Sequence, residues 1–247
     1  MCVCDVCPEK IEGNGLEREI EDASKAIQIT PRDLEALSKR GFEYFRKGEY
    51  DKALEDFTDV INMNPDFPGA YTCRGWVYLE MGDLALAFAD FNEAIHRDPD
   101  DAEAYLFCGA VHFTKGEYGK AVVDFSKAID LDPNLPDSYT SRGKAYLKIG
   151  DIALAHADFN EAIHRDPDDA EAYLFCGYTH FLKKDYDKAV TDFTSAINMN
   201  PGFPRVYTYR GWVYLEMGDL ALARMDFNEA IRRHPNDAEA CYLLSQF

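Results

Sequence analysis

Residues Phe91–Gly109 read FNEAIHRDPDDAEAYLFCG, and the same sequence recurs at Phe159–Gly177, 68 residues further along the chain. With the two preceding residues included, from Ala89 and from Ala157, the identity runs through 21 positions. Such a match indicates an internal duplication. Because an active site is normally a single asymmetric constellation, a duplicated stretch favours a structural framework over catalysis.

A shorter period of 34 residues runs through most of the chain. Glycine, phenylalanine and proline each recur six times at this spacing: Gly41, Gly75, Gly109, Gly143, Gly177 and Gly211; Phe57, Phe91, Phe125, Phe159, Phe193 and Phe227; Pro65, Pro99, Pro133, Pro167, Pro201 and Pro235. A fixed period of about 20 to 50 residues is typical of stacked-repeat architectures, in which each unit packs on its neighbours.

Each unit contains two helical patterns, with the residues of one face at i, i+3, i+4 and i+7 in the first and at i, i+4, i+7 and i+8 in the second. In the second unit these faces are Tyr71, Arg74, Gly75 and Tyr78, then Ala87, Phe91, Ala94 and Ile95. Gly82 suits the turn between them, where a left-handed backbone is needed. Pro99 ends the second helix, and Asp101 or Pro68 starts the next first helix. Each unit is therefore predicted to be a helical hairpin.

These residues resemble the tetratricopeptide repeat, whose 34-residue pattern the second unit matches at Tyr71, Arg74, Gly75, Tyr78, Gly82, Ala87, Phe91, Ala94 and Pro99. Six units match, from about Leu34 to Asp237. The departures are Leu37 for the first aromatic residue, His112 and His180 for the Tyr, and Lys184 for the turn Gly. The resemblance implies an all-α, right-handed superhelical solenoid of stacked helix-turn-helix repeats.

The predicted organisation has a cysteine-containing, disordered leader at 1–15 and a solenoid of about fourteen helices at 16–247. The solenoid comprises a half-repeat at 16–33, six full repeats at 34–237 and a terminal helix at 238–247. That last helix carries Tyr242, Leu243, Leu244 and Phe247, which make a poor polar cap. The apolar end favours packing on the sixth repeat, contact with a second chain, or descent from a longer array.

Charge and composition narrow the classes of partner. The 45 acidic and 26 basic residues give a net charge of −19, which repels nucleic acid and anionic lipid. No apolar run approaches the ~18 to 20 residues of a membrane span, and the N-terminus lacks a secretory pattern. We therefore expect no nucleic-acid or membrane partner and a cytoplasmic localisation. Four cysteines fall within helical patterns, where a free thiol behaves as a small apolar group: Cys73, Cys108, Cys176 and Cys241.

No motif for catalysis is found. The sequence contains neither a metal-binding HExxH nor a phosphate-binding GxxxxGK[ST] pattern, so neither an enzyme nor a cofactor is predicted. Cys2, Cys4 and Cys7 form a group that could bind zinc or copper or be redox-active. Because no histidine lies near them in the sequence, a leader without function is the alternative interpretation.

Acidic residues recur next to the repeated Phe. They are Asp56, Asp90, Asp124, Asp158, Asp192 and Asp226, and four units carry an Arg before the first-helix Gly, namely Arg40, Arg74, Arg142 and Arg210. This spacing predicts an Arg–Asp ion pair within a repeat, with metal binding by the acids as the alternative. Cys108 and Cys176 replace the Arg in the other two units, which therefore lack this partner.

The resemblance implies that the first helices line a concave groove and that the residue after each Gly points into it. These residues are Phe42, Trp76, Ala110, Lys144, Tyr178 and Trp212. Three positions further on stand Phe45, Leu79, Phe113, Leu147, Phe181 and Leu215, predicted to pack between adjacent first helices. Some family members bind chaperone tails with a clamp of Lys, Asn and Arg. Of the aligned positions, only Lys144 and Arg205 are cationic, so that activity is not expected.

The predicted function is a non-enzymatic scaffold that binds a peptide or protein segment in this groove. The predicted groove residues are Phe42, Trp76, Lys144, Tyr178, Arg205, Tyr209 and Trp212. Because acids outnumber cations around them, the expected ligand is an apolar segment that carries Lys or Arg. One alternative is a self-assembly module that forms a homo-oligomer through its apolar terminal helices. The other is a minor metal or redox role for the N-terminal cysteines.

Overall fold

The computed structural model describes residues 14–235 and 238–244, and within these ranges the chain forms fourteen α-helices and no strand. The helices are α1 (Asn14–Ile29), α2 (Leu34–Lys47), α3 (Tyr50–Met63), α4 (Pro68–Glu80), α5 (Leu84–Arg97), α6 (Ala102–Thr114), α7 (Tyr118–Leu131), α8 (Pro136–Ile149), α9 (Ile152–Arg165), α10 (Ala170–Leu182), α11 (Tyr186–Met199), α12 (Pro204–Met217), α13 (Leu220–Arg233) and α14 (Ala238–Leu244). The predicted all-α fold of stacked helix-turn-helix repeats is confirmed.

The chain divides into two compact units, Met1–Asp132 with α1–α7 and Pro133–Phe247 with α8–α14. The first helices of the repeats are α2, α4 and α6 in the first unit and α8, α10 and α12 in the second. Within each unit every helix packs against the next one, and consecutive first helices also contact each other. The first helices therefore bring side chains of neighbouring repeats together.

The core of each hairpin is the repeated phenylalanine, which is at most 1% exposed in all six repeats. It lies against the repeated glycine of the preceding first helix, as Phe91 does against Gly75. A glycine has no side chain, so the two helices approach closely enough for the ring to fill the space between them. The periodic Gly and Phe are thus two halves of one packing contact.

The predicted helix boundaries are confirmed where capping residues set them. The side chains of Asp83 and Asp101 accept hydrogen bonds from backbone N–H groups in the first turns of α5 and α6. Pro68 lies in the first turn of α4, and Gly82 takes a left-handed φ of 81° after that helix. At the equivalent turn, Lys184 has a φ of 62°, which strains a residue with a Cβ.

The terminal helix packs on the last repeat. Leu243 is buried against Ala223 and Phe227, and Leu244 lies beside them. Tyr242 remains 66% exposed. The prediction of packing on the sixth repeat is confirmed for the two leucines, whereas Phe247 lies outside the described residues. No helix in the described ranges is both long enough and apolar enough to cross a membrane.

The cysteines divide into two groups. Cys73, Cys108 and Cys176 are buried, as expected for small apolar side chains within helices. Cys241 also lies within a helix, as expected, but its side chain is exposed. Cys241 lies in α14, the last helix of the described ranges. Cys2, Cys4 and Cys7 lie outside the described residues.

Candidate functional site

The first helices of the first unit carry an aromatic cluster, here called patch 1, which consists of Phe42, Phe45, Trp76 and Phe107. Phe45 of α2 stacks on Trp76 of α4 with ring centroids 5.2 Å apart. Trp76 in turn meets Phe107 of α6 at 5.0 Å, and Phe42 lies 6.4 Å from Phe45. Aromatic rings therefore connect the first helices of three successive repeats.

The second unit contains a corresponding cluster, patch 2, which consists of Tyr178, Phe181, Tyr209 and Trp212. Phe181 stacks on Trp212 with centroids 6.0 Å apart. Tyr178 lies 5.4 Å from Tyr209 and 6.5 Å from Phe181. Tyr178, Phe181 and Trp212 follow Phe42, Phe45 and Trp76 by 136 residues, so these three rings recur in the same arrangement, whereas the fourth ring differs between the patches.

All eight rings of the two patches are half-buried. The sequence predicts that the residues after each Gly stand open in a groove. In the structure the rings of the neighbouring first helix cover part of Trp76 and Trp212, and the remainder stays accessible to solvent. The residues three positions further along each first helix are predicted to pack between adjacent first helices. This prediction is confirmed for Phe45 and Phe181.

The two predicted cations of the site differ in their surroundings. The ammonium of Lys144 lies 2.9 Å from a carboxylate oxygen of Glu171 and 5.7 Å from the centroid of the Phe175 ring. Arg205 is exposed. Burial raises the pKa of Tyr209, and the positive charge of nearby Arg205 opposes that rise. The charge of Lys144 is therefore neutralised by Glu171, whereas Arg205 stands exposed beside Tyr209.

Exposed acids accompany the tryptophans. Glu80 follows Trp76 by one helical turn, and Glu216 follows Trp212 in the same way. Both carboxylates are exposed. Because residues four apart share a helix face, each tryptophan has a negative charge beside it.

The four predicted Arg–Asp ion pairs are confirmed. Their shortest N···O distances are 2.6 to 2.8 Å, for Arg40–Asp56, Arg74–Asp90, Arg142–Asp158 and Arg210–Asp226. Each is bidentate: in the second repeat, Nε and Nη2 of Arg74 both donate to Asp90 at 2.8 Å. The aspartates are almost buried, and the hydrogen bond to Asp90 raises the pKa of Arg74. These acids therefore serve helix packing and leave no open carboxylate for a metal.

A histidine takes over this role in the two repeats without the arginine. His112 Nδ1 lies 2.6 Å from Asp124, and His180 Nδ1 lies 2.8 Å from Asp192. Sequence reasoning missed these pairs and treated the repeats as lacking a partner. The available signal was that each histidine follows the cysteine by four residues, so it projects from the same helix face one turn later.

Family models match most of the repeat region. One model described as TPR repeat matches residues 41–82 and 109–150, and three models described as tetratricopeptide repeat match 68–101, 140–204 and 205–237. No curated protein matches the chain.

Solved structures share the fold. A chain of the APC/C hetero-tetramer Cut9-Hcn1 is 19% identical with a TM-score of 0.83, over 94% of this chain and 46% of that one. This chain therefore spans less than half of that relative. YrrB, described as a TPR protein with an unusual peptide-binding site, is 23% identical with a TM-score of 0.64, over 78% of this chain and 100% of its own. MamA is 24% identical with a TM-score of 0.60, and the match covers 70% of this chain and 94% of the MamA chain.

At these identities the structural likeness establishes the fold alone, whereas the family models rest on the sequence of the repeats themselves. The repeats are of a kind that typically forms non-enzymatic scaffolds for protein interaction. Together the matches cover more than half of the chain, in register with the observed helical hairpins. The chain belongs to the tetratricopeptide repeat family.

Proposed function

We propose that this protein is a non-enzymatic interaction scaffold that binds apolar peptide or protein segments carrying Lys or Arg, at patch 1 and at patch 2, each patch being a site within one unit. The observation that supports the proposal is the double occurrence of one ring arrangement, half-exposed on the first helices of both units. Trp and Tyr in partly enclosed positions are the residues that most often dominate binding energy at interfaces.

The charge preference of the proposed ligand follows from the residues beside the tryptophans. Glu80 and Glu216 are exposed, whereas Lys144 is neutralised by Glu171. Together with the net charge of −19, these contacts favour a basic segment and disfavour an acidic one. The peptide-binding site attributed to YrrB adds only that the fold accommodates such a function.

The test is calorimetric titration of the full chain with two synthetic amphipathic peptides, one of Leu and Lys and one of Leu and Glu. We expect the Leu–Lys peptide to bind more tightly than the Leu–Glu peptide, and its affinity to fall as salt is added. Trp76→Ala and Trp212→Ala should each cost about 2 kcal/mol, or about thirtyfold in Kd. Val123→Ala serves as the control, because Val123 is an exposed apolar residue of α7 outside both patches.

The rings also pack first helices together, so loss of binding must be separated from loss of folding. Glu80→Gln and Glu216→Gln remove only exposed charges. Both should weaken the binding of the Leu–Lys peptide at low salt without lowering the melting temperature of the protein. Tighter binding of the Leu–Glu peptide, or affinities unchanged by both tryptophan and both glutamate substitutions, would refute the proposal.

Self-assembly is a second candidate, favoured by the exposure of Tyr242 on the terminal helix and of Met225 on α13, each 66% exposed. If these side chains form a contact between copies, the mass measured by light scattering rises with protein concentration. Tyr242→Asp should then keep the mass at that of one chain. A mass independent of concentration in the unmodified protein rejects this candidate.

A further inference from the structure

A cluster of metal-ligating side-chain types lies in the second unit, where α9, α10 and α11 meet. The sulfur of Cys176, a ring nitrogen of His180 and a carboxylate oxygen of Asp192 all lie within 4.8 Å of one another. His156 adjoins them: its Nδ1 is 3.7 Å from the Cys176 sulfur, and its ring centroid is 4.6 Å from that of His180. Within ranges 14–235 and 238–244, no second trio of such residues is arranged in this way.

We propose that Cys176, His180, Asp192 and His156 bind a zinc ion, a function independent of peptide binding by the two patches. Thiolate, imidazole and carboxylate are the ligands that zinc takes in proteins, usually four in a tetrahedron. With bonds of ~2.3 Å to sulfur and ~2.0 Å to nitrogen, a tetrahedral ion holds these two ligand atoms ~3.5 Å apart. The observed separation of 3.7 Å between Cys176 and His156 is close to this value.

The helices bring the side chains of Cys176, His180 and Asp192 together, and His156 adjoins this group at Cys176. Cys176 and His180 are four residues apart on α10 and therefore share a face, while His156 projects from α9 and Asp192 from α11. His180 Nδ1 and Asp192 Oδ2 are hydrogen-bonded at 2.8 Å. A nitrogen and an oxygen bound to one tetrahedral zinc ion stand ~3.3 Å apart. The ion therefore requires these two atoms to move apart by a few tenths of an ångström.

The duplicated repeats show how the second unit differs from the first. Helices α5 and α9 differ at only two of 14 positions, and one difference replaces Phe88 with His156. In the following helices Val111 is replaced by Thr179. Phe88 lies edge-on to His112 at 4.9 Å, as His156 does to His180 at 4.6 Å. The second unit therefore carries a ring nitrogen and a hydroxyl that the first unit lacks, beside a Cys, a His and an Asp that both units share.

The surroundings of His156 suit a metal ligand. Its Nδ1 lies 2.8 Å from the Thr179 hydroxyl, and its Nε2 lies 3.1 Å from the side-chain amide of Asn160. When Nδ1 turns to the ion, Nε2–H donates to the amide oxygen of Asn160 after a rotation of that amide, which supplies the outer partner that a ligating histidine normally has. Asn160 is exposed and His156 half-buried, so the ion enters from solvent. Binding displaces the thiol proton of Cys176 into water.

The competing interpretation is a purely structural one. His156 and Thr179 form a hydrogen-bonded pair that fills the space of Phe88 and Val111, and this pair is satisfied without an ion. Only the zinc proposal predicts that Zn²⁺ binds and stabilises the protein and that this binding requires Cys176.

The test uses the full chain with Cys2, Cys4 and Cys7 replaced by Ser, so that the N-terminal thiols do not compete. Zn²⁺ is titrated against a chromophoric chelator, and Co²⁺ is used as a spectroscopic probe of thiolate ligation. We expect one ion per chain, a thiolate-to-cobalt absorption band, and a higher melting temperature with Zn²⁺. Cys176→Ser should abolish the absorption band. His156→Phe should lower the affinity for Zn²⁺ by about tenfold or more.

Matched controls come from the first unit. Cys108→Ser should leave both the band and the Zn²⁺ affinity unchanged, because Phe88 offers no ligand there. His156→Phe reproduces the Phe88 environment and is expected to fold even if Cys176→Ser does not. No Zn²⁺ binding in the Cys2/Cys4/Cys7 variant, or a Zn²⁺ affinity that neither His156→Phe nor Cys176→Ser lowers, overturns the proposal.

Discussion

Gly75 and Phe91 stand so close that a Cβ on the glycine would lie 2.7 Å from Cε1 of the ring. The ring is fully buried, so it has no room to move away. The same contact recurs in the other five repeats at 2.6 to 3.1 Å. This contact explains why glycine and phenylalanine keep the same spacing along the chain.

The first prediction concerns this contact. Gly75→Ala should lower the free energy of unfolding, because overpacking costs ~1–3 kcal/mol while the better helix propensity of alanine returns at most ~1 kcal/mol. Gly119→Ala in α7 is the matched control, since a Cβ added there would meet nothing within 4 Å, and it should be neutral or stabilising. Urea denaturation followed by circular dichroism measures both. Equal midpoints for the two variants would contradict the prediction.

The second prediction concerns the two ways of pairing the repeated aspartate. Arg74→Cys should destabilise the protein by about 2–3 kcal/mol, because it leaves the nearly buried Asp90 unpaired. Adding Tyr78→His recreates the Cys and His of the third and fifth repeats at the same spacing. The histidine should then pair with Asp90, as His112 does with Asp124.

A double-mutant cycle of urea denaturation tests this pairing. We expect the double variant to be more stable than the sum of the single changes by about 1 kcal/mol. Tyr78→His in the presence of Arg74 supplies the control for lost packing. Additive effects would show that a histidine one turn later does not reach the aspartate of the second repeat.

The third prediction concerns backbone strain at Lys184, whose φ is 62°. Lys184→Gly should stabilise the protein by about 1 kcal/mol, because glycine takes left-handed backbone angles without a Cβ clash. Gly116 lies at the equivalent turn 68 residues earlier and has a φ of 77°. Gly116→Lys should therefore destabilise by a similar amount. Melting temperatures that shift in the same direction for both variants would contradict this account.

The fourth prediction concerns thiol chemistry. Burial raises the pKa of Cys108 to about 12, so at pH 8 its thiolate fraction is about a thousandfold lower than that of an unperturbed thiol. Iodoacetamide should therefore modify the exposed Cys241 rapidly and Cys108 only after unfolding. Peptide mapping by mass spectrometry identifies each site. Labelling of Cys108 at the rate of Cys241 in the folded protein would contradict the assignment.

The same shift has a consequence for stability at high pH. The thiol of the unfolded chain ionises near pH 9, whereas folded Cys108 keeps its proton up to about pH 12. The stability that depends on the protonated thiol is complete below pH 9 and is lost as the pH rises to 12. Cys108→Ala should show a smaller loss over this interval than the unmodified protein, measured by urea midpoints at each pH.

The repeat, its helices and the contacts that every repeat shares could all be predicted from the amino-acid sequence. The 34-residue period places Gly75 opposite Phe91 and Arg74 opposite Asp90, because residues 16 apart meet wherever two helices of this length fold into a hairpin. Helix ends followed from Asp101, Pro68 and Gly82, whose effects on the backbone are local. These inferences depend on spacing and propensity, which six copies reinforce.

The contacts that differ between repeats required the three-dimensional packing. The distance between first helices determines that Phe45 and Phe181 stack on Trp76 and Trp212 and cover them in part, so sequence alone overestimated the exposure of the tryptophans. Side-chain reach and rotamer decide that His112 replaces a missing arginine. The juxtaposition of His156 with Cys176 likewise depends on how α9 packs against α10. Such contacts join residues of different helices, and their geometry follows from packing rather than from any local pattern.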